Sequence, residues 1–165
     1  MKHLFLILVV ISLTGFGQTA EDYYNTGLEK YKLQDYNGAI ADFNNAIQLN
    51  PNDLNAYGNR GYAKVYLKDY NGAIADYNKA IELNPDHANA YYSRGIAKNK
   101  LQDYTGAIAD YNKAIELNPD DADAYYGRGL AKYILEDMIG ACKDWSKAGE
   151  LGYSDAYTAI QKLCK

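Results

Sequence analysis

Two cysteines, four aspartates in register and one histidine are the side chains of this 165-residue chain that could support chemistry. Cys142 and Cys164 are its only thiols. In an oxidising compartment two thiols tend to pair, and closing the intervening loop would contribute roughly 3 kcal/mol on the chain-entropy argument. Two separate buried thiols are the alternative; with no Cys-x-x-Cys spacing, redox turnover is not indicated. Asp42, Asp76, Asp110 and Asp144 recur every 34 residues. Metal ligands must converge on one ion, whereas equivalent positions of stacked helix pairs lie on the order of 10 Å or more apart. The ladder therefore reads as structural bracing, with Arg60, Arg94 and Arg128 as partners. His87 is the only histidine beyond residue 17 and falls in an inter-repeat turn, where a lone imidazole is expected to be solvated; the sequence holds no Ser-His-Asp spacing, ligand cluster or Gly-rich phosphate loop. The expectation is a protein without catalytic residues, metal or cofactor, and not an enzyme.

The elements that would position these residues are set by a repeat. The stretch from Asp69 to Pro85 returns almost letter for letter from Asp103 to Pro119, and with small changes from Asp35 to Pro51. A period of 34 residues is the signature of a stacked array. In register, units fall at about 20–53, 54–87, 88–121 and 122–155. Each carries two helical patterns, the first exemplified by Tyr57, Gly61, Lys64 and Val65, the second by Ala73, Tyr77 and Ala80. Gly61 and Ala73 are the expected points of closest helix approach. Asn50-Pro51, Asn84-Pro85 and Asn118-Pro119 should end the second helices. Asp53, Asp86, Asp120 and Asp121 stand where the next first helix begins, and an Asp or Asn of the intra-unit turn can cap the second. The fourth unit decays, and Ser154–Leu163 reads as an amphipathic capping helix with an acceptable cap of its own.

Ahead of the repeats, Lys2 and His3 precede the apolar run Leu4–Leu13 and the small residues before Gly17. This is the layout of a secretory signal over residues 1–17, leaving 18–165 as the repeat domain. The chain is then expected to be exported, periplasmic or secreted, with no membrane insertion once the leader is removed.

The repeat resembles the tetratricopeptide (TPR) family. Gly27, Gly61, Gly95 and Gly129 match its small first-helix residue, and Ala39, Ala73, Ala107 and Ala141 the small residue of the second helix. Phe43, Tyr77, Tyr111 and Trp145 match the aromatic position, and Ala46, Ala80, Ala114 and Ala148 the second Ala. The resemblance implies an all-α, right-handed solenoid of four helix-turn-helix repeats plus a cap, acting as a protein-interaction module. Two departures are regular. Lys30, Lys64, Lys98 and Lys132 replace the usual Tyr, and Thr26, Arg60, Arg94 and Arg128 replace the usual Leu; both are expected to alter the surface.

Composition narrows the partner. Charged residues make up 23% and the formal net charge is −4, which argues against nucleic acid, whose binders need a basic patch. Tyr occurs 18 times. Tyr57, Tyr77, Tyr91, Tyr111 and Tyr125 fall on packing positions, and Tyr36, Tyr70 and Tyr104 in turns. By the resemblance, first-helix residues line a concave groove. That places Tyr24, Tyr31, Tyr62, Tyr66, Tyr92, Tyr126 and Tyr133 there, beside Leu28, Asn55, Asn59, Asn89, Ser93, Ile96, Asp123 and Leu130. Rings with polar edges suit peptide recognition, although several could simply fill a narrow superhelix. The carboxylate clamp of some TPR domains is not expected, because Leu28 and Tyr62 stand where its groove Asn residues would be. The expected partner is a protein or peptide, with cell-wall glycan binding or weak self-association as a spacer as alternatives.

Overall fold

Each unit turns where one side chain is forced and another caps. The computed structural model describes residues 18–164, so the leader expected over residues 1–17 lies outside the described residues. Among the described residues there are nine helices and no strand: α1 (Ala20–Lys32), α2 (Tyr36–Leu49), α3 (Leu54–Tyr66), α4 (Tyr70–Leu83), α5 (Ala88–Lys100), α6 (Tyr104–Leu117), α7 (Ala122–Ile134), α8 (Met138–Glu150) and α9 (Ser154–Leu163). Between the helices of each pair, Gln34, Lys68, Gln102 and Glu136 take φ of 62–66°, a left-handed conformation that stops the first helix. The next residue caps the second: the carboxylates of Asp35, Asp69, Asp103 and Asp137 accept from the N–H of Gly38, Gly72, Gly106 and Gly140 at 2.9 Å. A Cβ on Gly72 would lie 2.1 Å from the Asp69 carboxylate, which explains why the cap motif carries glycine.

The first helices are capped by Thr19, Asp53, His87 and Asp121. His87 takes the role expected of Asp86: its Nδ1 accepts from Ala90 N–H at 3.1 Å. Asp86 and Asp120 instead sit in the turn, where their N–H groups donate to the side chains of Asn84 and Asn118. Helix α9 forms without the expected side-chain cap; Tyr153 occupies that position and makes no capping bond.

Within each pair the second helix presses a ring onto the first helix's glycine. A Cβ on Gly27, Gly61, Gly95 or Gly129 would meet Phe43, Tyr77, Tyr111 or Trp145 at 2.6–2.8 Å. The closest approach is thus Gly61 to the Tyr77 ring rather than to Ala73, which is fully buried beside it. At the far end α9 packs Ala156 against Ala141, Trp145 and Ala148 of α8. Cys142 and Cys164 are joined in a disulfide that fastens α9 to α8.

Ion pairs complete the pairing. Asp76, Asp110 and Asp144 are only 3–4% exposed, so each charge needs compensation. Arg94 supplies two prongs, Nε at 2.9 Å and Nη2 at 2.6 Å from Asp110, and Lys98 adds its ammonium at 2.8 Å. Arg60 with Lys64 serves Asp76, and Arg128 with Lys132 serves Asp144, in the same way. The third nitrogen of each Arg reaches into the preceding unit, to Asn44, Asn78 or Asn112 at 2.6–2.7 Å. Each guanidinium also lies over a ring of its own helix, Tyr57, Tyr91 or Tyr125, at 5.3–5.4 Å. Arg60, Arg94 and Arg128 thus form the brace expected of them, while the Lys departures, expected only to alter the surface, turn toward the same carboxylates. Unit one carries Thr26 in place of the Arg, and its Asp42 meets Lys30 at 2.7 Å.

Candidate functional site

Consecutive first helices touch one another, α1 with α3, α3 with α5 and α5 with α7, while second helices pack outward between them. The first-helix face is therefore the inner side of the array, and its side chains decide what can bind there.

Many of the expected groove tyrosines knit neighbouring units together. Tyr24 tilts against Phe43 at 6.0 Å, and its hydroxyl accepts from Asn59 Nδ2 at 3.0 Å. Tyr36 stacks on Tyr66 at 4.6 Å, with Tyr31 edge-on to both. Tyr62 sets its edge on Tyr77 and bonds Ser93 Oγ at 2.8 Å. Tyr92 tilts against Tyr111, Tyr126 stacks on Tyr153, and Tyr133 leans on Trp145. Leu28 and Ile96 are partly buried, as is Leu130, which packs on the α8–α9 core. Asn55, Asn89 and Asp123 are exposed, as are Tyr66 and Tyr133.

Two adjoining openings lie on this face. The first, about 170 Å³, is lined by Asn55, Gly58, Asn59, Tyr62, His87 and Ser93 among others, with Tyr77 at its floor. The second, about 450 Å³, is lined by Tyr62, Asn89, Tyr92 and Asp120–Asp123. They share Tyr62 and Asn89, so they form one trough across α3, α5 and α7. Asp120, Asp121 and Asp123 have no ion-pair partner among the described residues. Partial burial, reinforced by Asp121, raises the Asp123 carboxyl above its ordinary range. Burial first, then the Asp123 charge, pushes the Tyr92 phenol up as well. Tyr77 is buried as expected and walls the first opening from within, while His87 caps α5 and borders the same opening. The recurrence of Tyr at 24, 92 and 126, broken by Gly58, was the available signal.

Among the described residues no group of His, Cys, Asp or Glu side chains could hold a metal ion. No described helix is long and apolar enough to cross a membrane.

A family profile described as TPR repeat matches residues 27–66, 61–102 and 97–135. The chain belongs to the TPR repeat family. No curated protein sequence matches it, but solved structures of the TPR fold do. A crystal structure of MamA protein superposes with TM-score 0.81 at 29% identity, over 87% of this chain and 80% of that one. The first TPR of Spaghetti (RPAP3), bound to the HSP90 peptide SRMEEVD, gives TM-score 0.70 at 28% identity, over 72% and 94%. The Arabidopsis OM64 TPR domain gives 0.68 at 29%, over 70% and 95%. The fold and the family make this TPR protein a protein–protein interaction module.

Proposed function

We propose that this TPR protein is a non-enzymatic scaffold of the cell envelope that holds an extended peptide segment in the first-helix trough. One observation carries the reading: Asn55, Asn59, Asn89 and Ser93 bring hydrogen-bonding side chains to a trough walled by tyrosine rings. An extended backbone offers alternating donors and acceptors, and an Asn amide supplies both. The charge of the trough sets the sequence class. Neither opening is lined by Lys or Arg, so a carboxylate-clamped acidic tail is a poor fit. The carboxylates of Asp121 and Asp123, without an ion-pair partner among the described residues, favour a segment carrying Arg or Lys. Export is supported by the leader-like residues 1–17 and by the Cys142–Cys164 bond, which persists in an oxidising compartment.

The test is selection from a displayed random-peptide library. Recovered peptides should be rich in Arg and Lys, lose retention as salt rises, and be released by Asn89→Ala with Asp123→Asn. Peptides indifferent to both substitutions would move the contact surface elsewhere.

A further inference from the structure

The trough has a gap that its own repeat explains. Tyr24, Gly58 and Tyr92 are equivalent positions, one unit apart. In units one and three the Tyr lies on the second-helix ring with almost the same geometry. Tyr24 meets Phe43 at 6.0 Å and 49°, and Tyr92 meets Tyr111 at 6.0 Å and 48°. Unit two keeps the second-helix ring, Tyr77, but carries no ring at Gly58; Tyr62, one turn further along α3, sets its edge on Tyr77 instead and leaves the space beside Gly58 unfilled. A Cβ on Gly58 would find nothing within 4 Å, and the opening of about 170 Å³ begins there. That is close to the roughly 150 Å³ of a cavity that admits a benzene ring.

The polar groups at the gap match the missing phenol. Tyr24 OH is held by Asn59; the residue one unit on, facing the Gly58 position, is Ser93. Ser93 Oγ lies 2.7 Å from the Asn89 carbonyl and 2.8 Å from Tyr62 OH. With one proton, it can donate to the Asn89 carbonyl and accept from the Tyr62 phenol, which leaves one further lone pair for a second phenol. Tyr77 is 1% exposed, and its hydroxyl has no hydrogen-bond partner of acceptable geometry, although Ser93 stands near it. Its buried ring forms one wall of the slot.

We infer that the Gly58 slot receives one aromatic side chain, best a tyrosine, from the bound partner segment, which supplies in trans the ring that units one and three supply for themselves. This rests on the peptide-binding reading and gives it an anchor residue: an aromatic at one fixed position of the segment, beside the cationic residues drawn by Asp121 and Asp123.

The probe is N-acetyl-tyrosinamide, titrated into 15N-labelled protein. Saturable shifts are expected at the Gly58, Asn59 and Ser93 amides, with N-acetyl-leucinamide weaker by on the order of tenfold. Gly58→Tyr fills the slot from within and should abolish the shifts while keeping the helical circular dichroism. Equal affinity for the leucine amide, retained binding by Gly58→Tyr, or no shifts in the parent would each overturn the slot. Peptide selection separates this from the broader reading. Selected peptides without a fixed aromatic, held equally by parent and Gly58→Tyr, overturn the slot but leave the trough standing. Amide binding with no selectable peptide leaves the slot standing and removes the peptide.

Discussion

Arg60 and Asp76, sixteen residues apart, close a two-pronged ion pair between α3 and α4, and the Arg nitrogen left over bonds Asn44 in the unit before. One side chain therefore fastens a helix pair and joins that pair to its neighbour. The arrangement recurs at Arg94 and Arg128, so the array is braced along its length by the same three-residue device.

Removing the carboxylate from one brace leaves two cations facing each other in the interior. Asp110→Asn, which strands Arg94 and Lys98, should lower unfolding free energy by about 3–5 kcal/mol. Asn78→Ala, which removes one outer bond of the same Arg, should cost about 1–2 kcal/mol. Urea denaturation of both variants checks the order. Equal losses would mean that the brace is not centred on the carboxylate.

The cap of α5 is the one made by an imidazole. Its Nδ1 accepts the Ala90 N–H at 3.1 Å without the negative charge that strengthens a carboxylate cap. His87→Asp replaces it with the residue that caps α3 and α7 and should add about 0.5–1 kcal/mol. Melting temperature of both proteins is the measurement, and an unchanged value would mean that the imidazole caps as well as a carboxylate.

The Cys142–Cys164 bond ties down a helix that has no side-chain cap. Opening it should lower stability by about 3 kcal/mol. The loss should be local: hydrogen exchange over residues 154–163 should rise before that of α3–α6 changes. Uniform loosening would show that α9 is not a separable end.

Alkali should unfold the array. Burial raises the phenols of Tyr77, Tyr111 and Tyr92 above the ordinary value of about 10. Each ionises more readily in the unfolded chain, so its contribution is fully present below about pH 10 and is lost as pH climbs through the raised folded values. Phenolate absorbance should rise in step with loss of helicity. Full ionisation of all tyrosines with helicity intact would place these rings in solvent.

The repeat period, the family and the helix pairs were legible because recurrence at 34 residues reports equivalence directly. So was the pairing of the Asp ladder with Arg60, Arg94 and Arg128. Register does not report direction, however. Lys64 reads as a surface change in the sequence, yet its ammonium lies beside Asp76, and Asn44, Asn78 and Asn112 repeat just as faithfully without announcing a partner. The slot at Gly58 was visible as a broken series but not as a space. Whether a missing ring leaves a hole depends on how closely α3 and α5 approach, and spacing along the chain does not encode that distance.

The near-identity of α4 and α6, which differ only at Asn71 and Thr105, bears on how the chain finds its register. To Arg60, Asp110 offers the same carboxylate as Asp76. The two differ in the loop each would close, sixteen residues against fifty, a closure-entropy gap of about 1 kcal/mol. Thermodynamics thus discriminates only weakly between the correct neighbour and the next one along. Speed discriminates better, because short loops close first. Misregistered pairing is accordingly the characteristic folding error of this chain, and slow, repeat-skipping intermediates are where it would be found.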